Sequence, residues 1–326
     1  MRIVVTGSIA TDHLMSYDGK FADAFIAEQL ENVSLSFLVE DLEIRRGGVA
    51  ANICFNLANL GLQPVLLGAV GRDFDDYRSW LDRHGVDTQS VHESDLHHTA
   101  RFVCTTDSAG NQIASFYPGA MSVAREIELR PVAERLGGID LVVVSPNAPE
   151  AMLRHTEECR ASGVPFAADP SQQLSSMDGE QIKALIEGAA YLFTNEYEAA
   201  LIESKTGWSS QEVLERVGTR ITTHGGRGSK IETEDSEPVL VPVVPISSIV
   251  DPTGVGDAFR AGYLAGVSWG LGPQRCAQVG SMLAALVIET TGTQEYELDA
   301  ATFLDRLGDS YGSVAADEVR AHLTQN

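Results

Sequence analysis

The chain is poor in positive charge. Lysine and arginine together number 23 against 46 aspartates and glutamates, a formal net charge of −23 over 326 residues. A surface of that sign repels nucleic acid and anionic membrane, so neither is expected as a partner. An anionic small substrate stays open, provided that backbone amides, a helix N-terminus or a bound cation supply local positive potential. Cysteine is scarce. Cys54, Cys104, Cys159 and Cys276 stand far apart, with no C-x-x-C pair and no zinc spacing. They read as reduced, mostly buried thiols of a cytoplasmic protein. Long apolar runs are missing too: MLAALVI at 282–288 is far short of a membrane span. The opening MRIVVTGSIATD meets Asp12 too soon for a secretory leader, so the NVS triplet at Asn32 carries no expectation of glycosylation. Neither a Walker A sequence nor a G-x-G-x-x-G spacing ahead of a helix is present, which removes the P-loop and the dinucleotide fingerprint.

What the chain does have is a composition that is 44% hydrophobic, enough to bury a sizeable core. Short runs rich in Val, Ile and Leu alternate with helical patterns. RIVVTGS (2–8), PVLLGAV (64–70), IDLVVVS (139–145), VPFAAD (164–169), AYLFTN (190–195) and TRITTHG (219–225) read as strands. VAANICFNLANLG (49–61) and the stretch near 75–84 read as helices. Apolar strands alternating with helices predict an α/β fold whose parallel sheet is covered on both faces. Two regions break the rhythm. NVSLSFLVEDLEIRR (32–46) alternates partially, and TARFVCTTDSAGNQIASFY (99–117) reads as two strands joined by a turn at 108–111. They are expected to form a small antiparallel sheet beside the main domain, as a lid.

Ligands of open α/β sheets bind beyond the carboxyl ends of strands. Ser8 and Asp12, Asn147, Asp169, Asn195 and the turn 223–228 all stand at such ends. RRGGVAAN (45–52) puts two glycines before a helix, either as a tight turn or for close approach to a ligand. GGRGSK (225–230) lacks G-K-[ST]; it suits backbone contact with phosphates or a plain hairpin. NEYE (195–198) has the shape of a capping box with Asn for Ser or Thr, and equally could serve a metal–phosphate complex. DPTGVGDAF (251–259) ends where a helix should begin. Its Asp257 would suit an acidic first turn, worth about 0.3–1 kcal/mol. Its two glycines cost backbone entropy that a cap alone does not require. A turn of free amides beside a carboxylate suits phosphoryl transfer, with the amides facing the moving phosphoryl and Asp257 accepting the proton of an attacking hydroxyl.

DPTGVGDAF resembles the D-T-x-G-A-G-D signature of the ribokinase-like (PfkB) carbohydrate kinases. RRGGVAAN is similar to the glycine-pair signature of that family, and NEYE matches its N-x-x-E motif, all three in family order. TGSIATDHLM, VSLSFLV, ASFYPGAM, AADPSQQL, LFTNEYE and TGTQEY look like the actinobacterial adenosine kinases, from residue 1 to about 296. The resemblance implies one ribokinase-like domain over 1–326, a predominantly parallel central sheet flanked by helices, with a discontinuous β lid at 12–47 and 97–118. It implies phosphorylation of the adenosine 5′-hydroxyl by ATP with Mg2+, a purine-salvage reaction giving AMP.

By the same resemblance Asp257 is the general base, and the amides of Gly254, Val255, Gly256 and Asp257 form the anion hole. Asp12, Gly48 and Asn52 hold the ribose hydroxyls, with Ser8 beside them. Phe102 and Phe116 hold the purine, and Gln172 and Gln173 meet its polar edge. Asn195 and the turn of Thr223, Gly225, Gly226, Arg227 and Gly228 hold ATP, while Glu198 organises the Mg2+ shell through water. Asp251 and Thr253, with the TGTQ loop, are implied as a site for a monovalent cation such as K+. The lids are implied to pair in a homodimer, bringing Ser36 to the neighbouring subunit's site. The chain departs from the pattern at Pro252, where Thr is common, and at Ser176, where an arginine is expected. The chemistry supports the purine roles independently, because flat rings suit a base and an amide matches its edge. A kinase of ribose, fructose or another nucleoside is the alternative, and a non-catalytic nucleoside-binding protein a further one. The intact Asp257, both glycines and NEYE argue for the enzyme.

Overall fold

The computed structural model describes residues 1–25 and 35–323. Fourteen strands are formed in it. They are β1 (Ile3–Thr6), β2 (Ala10–Tyr17), β3 (Asp41–Gly47), β4 (Val65–Leu67), β5 (Ala69–Gly71), β6 (His92–Ser94), β7 (Ala100–Asp107), β8 (Gln112–Tyr117), β9 (Leu141–Val144), β10 (Phe166–Ala168), β11 (Tyr191–Asn195), β12 (Thr219–Thr223), β13 (Ser229–Glu232) and β14 (Val239–Val241). Eight run in the order β14-β13-β12-β11-β10-β9-β1-β4 to make the main sheet. From β12 to β4 every pairing is parallel; β13 and β14 add an antiparallel edge. The central strands are apolar on both faces: β9 reads LVVV and all four residues are buried, as a doubly covered sheet requires.

The helices that matter for the site are α1 (Val49–Asn59), which follows β3, and α2 (Val255–Ser268), which packs on α3 (Pro273–Ile288). On the sheet face carrying this helix pair, one core cluster gathers Val5, Phe55, Phe193, Tyr263 and Met282; a second cluster, including Val4, Phe166, Leu192 and Ile202, fills the opposite face. Among the described residues no helix is long and apolar enough to cross a membrane, and all four cysteines are free and buried.

The lid is a separate sheet of order β3-β2-β7-β8. Two features differ from the sequence reading. The first is β2, whose mixed sequence ATDHLMSY hides it; most of its residues are only half-buried, so no clean alternation marks it. The second is direction. Strands β2 and β7 pair in parallel, with Ala10 opposite Ala100, so the lid is mixed rather than antiparallel. The lid strands come from two stretches of chain, β2 and β3 from one and β7 and β8 from the other. Within the expected 32–46 alternation only Asp41 onward forms a strand in the described residues, and Asn32 lies outside them. The run PVLLGAV is also two strands. After Gly68 the chain leaves the main sheet, and β5 pairs with β6. The expected turn at 108–111 is present and is organised by Asp107, whose carboxylate accepts from the backbone N–H groups of Ala109 and Asn111.

Candidate active site

The lid and the main sheet enclose a cavity of about 340 Å³. Ser8, Asp12, Gly48, Asn52, Phe102, Phe116, Gln172 and Gln173 all line it, together with Thr253, Gly254 and Asp257. The lid strands explain part of this convergence. A single cross-strand row runs Arg45–Asp12–Phe102–Phe116 across β3, β2, β7 and β8. Residues opposite one another in such a row share a face. The row therefore places Asp12 on the strand next to the first of two adjacent aromatic residues, at a backbone spacing of about 4.8 Å. Phe116 is half exposed at 51%, an unfinished apolar surface at the cavity.

The glycine pair supplies the opposite wall. Gly48 has φ +93, and a Cβ there would lie 2.6 Å from both the Ala10 nitrogen and the Ser8 oxygen, so no other residue fits. It opens α1, and Ser8 Oγ accepts from the Val49 N–H at 3.0 Å. Asn52, one turn into the helix, is buried. Its Nδ2 donates to Asp257 Oδ2 at 2.8 Å, and its Oδ1 accepts from Thr293 Oγ1 and Gln294 Nε2, both at 2.9 Å. Asn52 thus joins the glycine-pair helix, the TGTQ loop and Asp257.

Helix α2 begins directly after Gly254, whose φ of +73 turns the chain into it. A Cβ on Gly254 would meet Thr293 Cγ2 at 2.6 Å. Asp257 lies in the first turn, where the N–H groups have no intrahelical partners. Burial pushes its carboxyl above the ordinary value, against the opposing pull of the Arg260 guanidinium and the Asn52 amide. Burial likewise raises Asp12, with Arg45 opposing and Asp251 adding to the rise.

A second cavity, of about 420 Å³, lies on the other side of the same turn. Val255 and Gly256 line it, with Thr223, Gly225, Gly226 and Gly228 from the loop after β12. Its apolar wall is Val244, Ile246, Ile249, Phe259, Ala284 and Ile288. Ile249 is 69% exposed, the kind of uncovered apolar surface that a flat ligand face covers. A Cβ at Gly225 or Gly226 would meet nothing within 4 Å, so the loop backbone is open to a ligand. The glycine turn of α2 therefore stands between a lid-covered cavity and a glycine-loop cavity.

Several expected residues lie outside both linings. Ser36 is exposed. Arg227 is held by Glu196, to which His224 Nδ1 also pairs at 2.9 Å. Asn195 and Glu198 form a full capping box: the Glu198 N–H donates to Asn195 Oδ1 at 2.8 Å, and the Asn195 N–H donates to Glu198 Oε2 at 2.8 Å. The box fixes the Glu198 carboxylate rather than freeing it. No group of three His, Cys, Asp or Glu among the described residues could cage a metal ion. At the expected monovalent-cation position, Asp251 Oδ1 accepts from the Thr253 N–H at 2.9 Å. Its Oδ2 accepts from the Gly292 N–H and from Arg45 Nη1, both at 3.1 Å. A side-chain cation already balances that carboxylate.

Sequence reasoning missed the apolar wall at 243–249, a stretch without helical or strand period. It also missed Thr293 as a lining residue and Arg260. Arg260 Nε lies 2.7 Å from Asp169 Oδ2 and its Nη1 lies 3.9 Å from Asp257 Oδ1. The signal for Thr293 was the TGTQ segment itself; for Arg260 none was visible, since its partner is remote in sequence.

Residues 9–300 match the pfkB family carbohydrate kinase profile. The nucleoside kinase of Methanocaldococcus jannaschii is 27% identical over 295 residues, covering 90% of this chain and 92% of that protein. The solved nucleoside kinase of Burkholderia thailandensis in complex with inosine superposes with a TM-score of 0.83 at 34% identity, over 95% of this chain and 99% of that one. The ribokinase of Thermotoga maritima, at 20% identity and a TM-score of 0.74, shares the fold.

Proposed function

Because the chain belongs to the PfkB family of carbohydrate kinases, a phosphotransferase family, we propose that it is an ATP-dependent nucleoside kinase that phosphorylates the 5′-hydroxyl of purine nucleosides, adenosine among them. The observation that carries this reading is the lid row: Asp12, Phe102 and Phe116 stand side by side over the cavity that Asp257 lines. A ribose needs a hydrogen-bonding carboxylate and a base needs flat apolar partners; a plain sugar needs no ring pair. Relatives named nucleoside kinases support the same substrate class.

The nucleoside lies with its base against the lid rings and its ribose against Asp12 and the Gly48 backbone. Its 5′-hydroxyl faces Asp257, which accepts the proton as the oxygen attacks the γ-phosphorus of ATP. The amides of Gly254 to Asp257 face the transferring phosphoryl, and the α2 dipole adds to their effect. ATP occupies the second cavity, its base on the Ile246 and Ile249 wall and its phosphates along the Gly225–Gly228 loop toward the turn. Bound Mg2+ would supply charge neutralisation across the β- and γ-phosphates. Lid closure excludes water, which protects ATP from hydrolysis.

A second reading has its own observation. Gln172 Oε1 accepts from Ser171 Oγ at 2.8 Å and Gln173 Oε1 accepts from Ser176 Oγ at 2.9 Å. With both carbonyls engaged, the amides present N–H donors, which match the 6-oxo group of inosine or guanosine. Ser176 takes this part where the resemblance leads one to expect an arginine. The deciding experiment is a coupled ADP-release assay with ATP and Mg2+ across adenosine, inosine, guanosine, cytidine, ribose and fructose. Turnover with adenosine supports the leading reading, and inosine alone supports the second. Turnover confined to ribose or fructose overturns both and removes the ring pair from the site.

The assembly proposed is a homodimer through the lid. The edge strands β3 and β8 expose Leu42, Ile44 and Ile113, and paired edges would cover them. A monomer by light scattering at micromolar concentration refutes it. The four free, buried cysteines and the need for ATP support a cytoplasmic enzyme, and a purine-salvage role is part of the same proposal.

A further inference from the structure

Asp169 and Arg260 form a buried acid–base pair that the reaction described above does not use; burial pushes the Asp169 carboxyl up to about 7, with Arg260 opposing and Glu198 and Asp257 adding to the rise. Asp169 directly follows β10 and is fully buried; neither carboxylate oxygen makes a hydrogen bond of good geometry. Its nearest charge is Arg260 Nε at 2.7 Å. Arg260 lies on α2 one turn beyond Asp257, is 12% exposed at its side chain, and lines neither cavity. Its Nη1 is 3.9 Å from Asp257 Oδ1. Glu198 adds to the negative field around it. A Cβ on Gly256 would lie 2.6 Å from that same Nη1, so the glycine of the anion turn leaves room for the guanidinium to lie directly behind the turn.

Stability alone does not account for such a pair. Replacing a buried ion pair by neutral groups of similar volume is often neutral or stabilising. The two oxygens of Asp257 suggest a different use. Oδ2 accepts from Asn52 at 2.8 Å. Oδ1 has Arg260 as its near charge at a distance too long for a hydrogen bond. Its lone pairs stay available, while the positive charge favours the ionised carboxylate.

We propose that Arg260, anchored by Asp169, is the positioning residue of phosphoryl transfer: it keeps Asp257 ionised with Oδ1 free for the substrate proton, and sets a fixed positive charge behind the glycine turn. The proposal rests on Asp257 being the base, as proposed above. Asp169 prevents the guanidinium from closing on Oδ1 and blocking it. Arg260 acts through Asp257 and the turn, without contact to nucleoside or ATP.

The test uses the full-length protein with adenosine, and inosine in parallel. Variants are Asp257→Asn, Arg260→Lys, and the neutral pair Asp169→Asn with Arg260→Met. Nucleoside binding is read by calorimetry and the pH profile of kcat/KM by the coupled assay. The neutral pair is expected to fold, to bind nucleoside as the wild type does, and to lose about 10²-fold in kcat, the size seen when a preorganised charge-stabilising group is removed. Loss of the charge nearest Asp257 moves the acid limb up by about one pH unit. Arg260→Lys, which keeps the charge, recovers part of the rate. A neutral pair with wild-type kcat and an unmoved acid limb overturns the proposal. If the neutral pair fails to fold, Arg260→Gln, which removes the charge but keeps a side-chain donor, decides: wild-type kcat and an unmoved limb overturn the proposal, and a reduced kcat with the limb moved up supports it. Full turnover by Asp257→Asn instead overturns the underlying reading of the base, whatever Arg260 does.

Discussion

Replacing Asp257 by asparagine separates the chemical role of this carboxylate from its structural cost. The shape is kept, and the side-chain oxygen of an asparagine can still accept from Asn52 Nδ2, now 2.8 Å away. What disappears is the proposed proton acceptor. A positioned general base contributes about 10²–10⁴-fold, or about 3–5 kcal/mol of barrier. The stability effect runs the other way. Arg260 at 3.9 Å attracts the Asp257 charge by about 4 kcal/mol at an effective dielectric of about 20. Yet the carboxyl still titrates above its ordinary 3.8, with burial as the leading cause. Desolvation therefore outweighs Arg260 and Asn52 together. The folded state binds this proton more tightly than the unfolded chain does, so stability falls as pH rises from the unfolded value through the raised folded one. The asparagine variant escapes that loss, while Arg260 keeps its pair with Asp169. The expected result is kcat reduced by at least about 10²-fold, with a Tm at pH about 8 equal to or above wild type. The gain should shrink as pH falls toward the unfolded carboxylate value and the wild-type group takes up its proton. Coupled ADP release and thermal melts across pH measure both. Turnover within tenfold of wild type would sink the base assignment. A Tm lowered at pH about 8 but not in acid would show that the ionised carboxylate stabilises the fold, and would refute the desolvation argument.

Gly254→Ala forces an L-residue to φ +73 and drives a methyl to 2.6 Å from Thr293 Cγ2, with about 1–2 kcal/mol from backbone strain alone. Thr293 cannot swing away freely, because its hydroxyl is engaged with Asn52 and the Arg46 carbonyl; kcat should fall well before nucleoside affinity, and equal losses in both would place the turn's role in binding. Phe102→Ala and Phe116→Ala should each raise the KM for nucleoside by about 5- to 150-fold, from about 1–3 kcal/mol of stacking, with the KM for ATP unchanged. An unchanged nucleoside KM in both would return the rings to the core. Arg45→Ala removes the guanidinium from Asp251; exchanging K+ for Na+ should then alter the rate more in the variant than in wild type, and identical responses would show that Arg45 does not compete for a cation there.

The parts of this site that were legible are those where a local backbone requirement writes itself into residue type. A chain that must enter α2 through positive φ shows Gly254, and one that must pass between Ala10 and Ser8 shows Gly48. Asn195 and Glu198 were legible for the same reason, and the structure fills their capping box. The parts that stayed hidden depend on partners far away in sequence. Strand β2 has little pattern of its own because neither of its faces is wholly solvent or wholly core. Its parallel pairing with β7 follows from the chain crossing the main sheet between them, which no window of residues contains. The apolar wall of the second cavity reads as loop because 243–249 form neither helix nor strand and so carry neither period. Arg260 carried no signal at all: within DPTGVGDAFR it reads as an ordinary helix residue, and only the end of β10, arriving behind the turn with Asp169, gives its charge a reason to be buried. The chemistry proposed for Asp257 can be guessed from a nine-residue stretch, but the Asp169–Arg260 pair behind it lies in the packing of a strand end against that stretch.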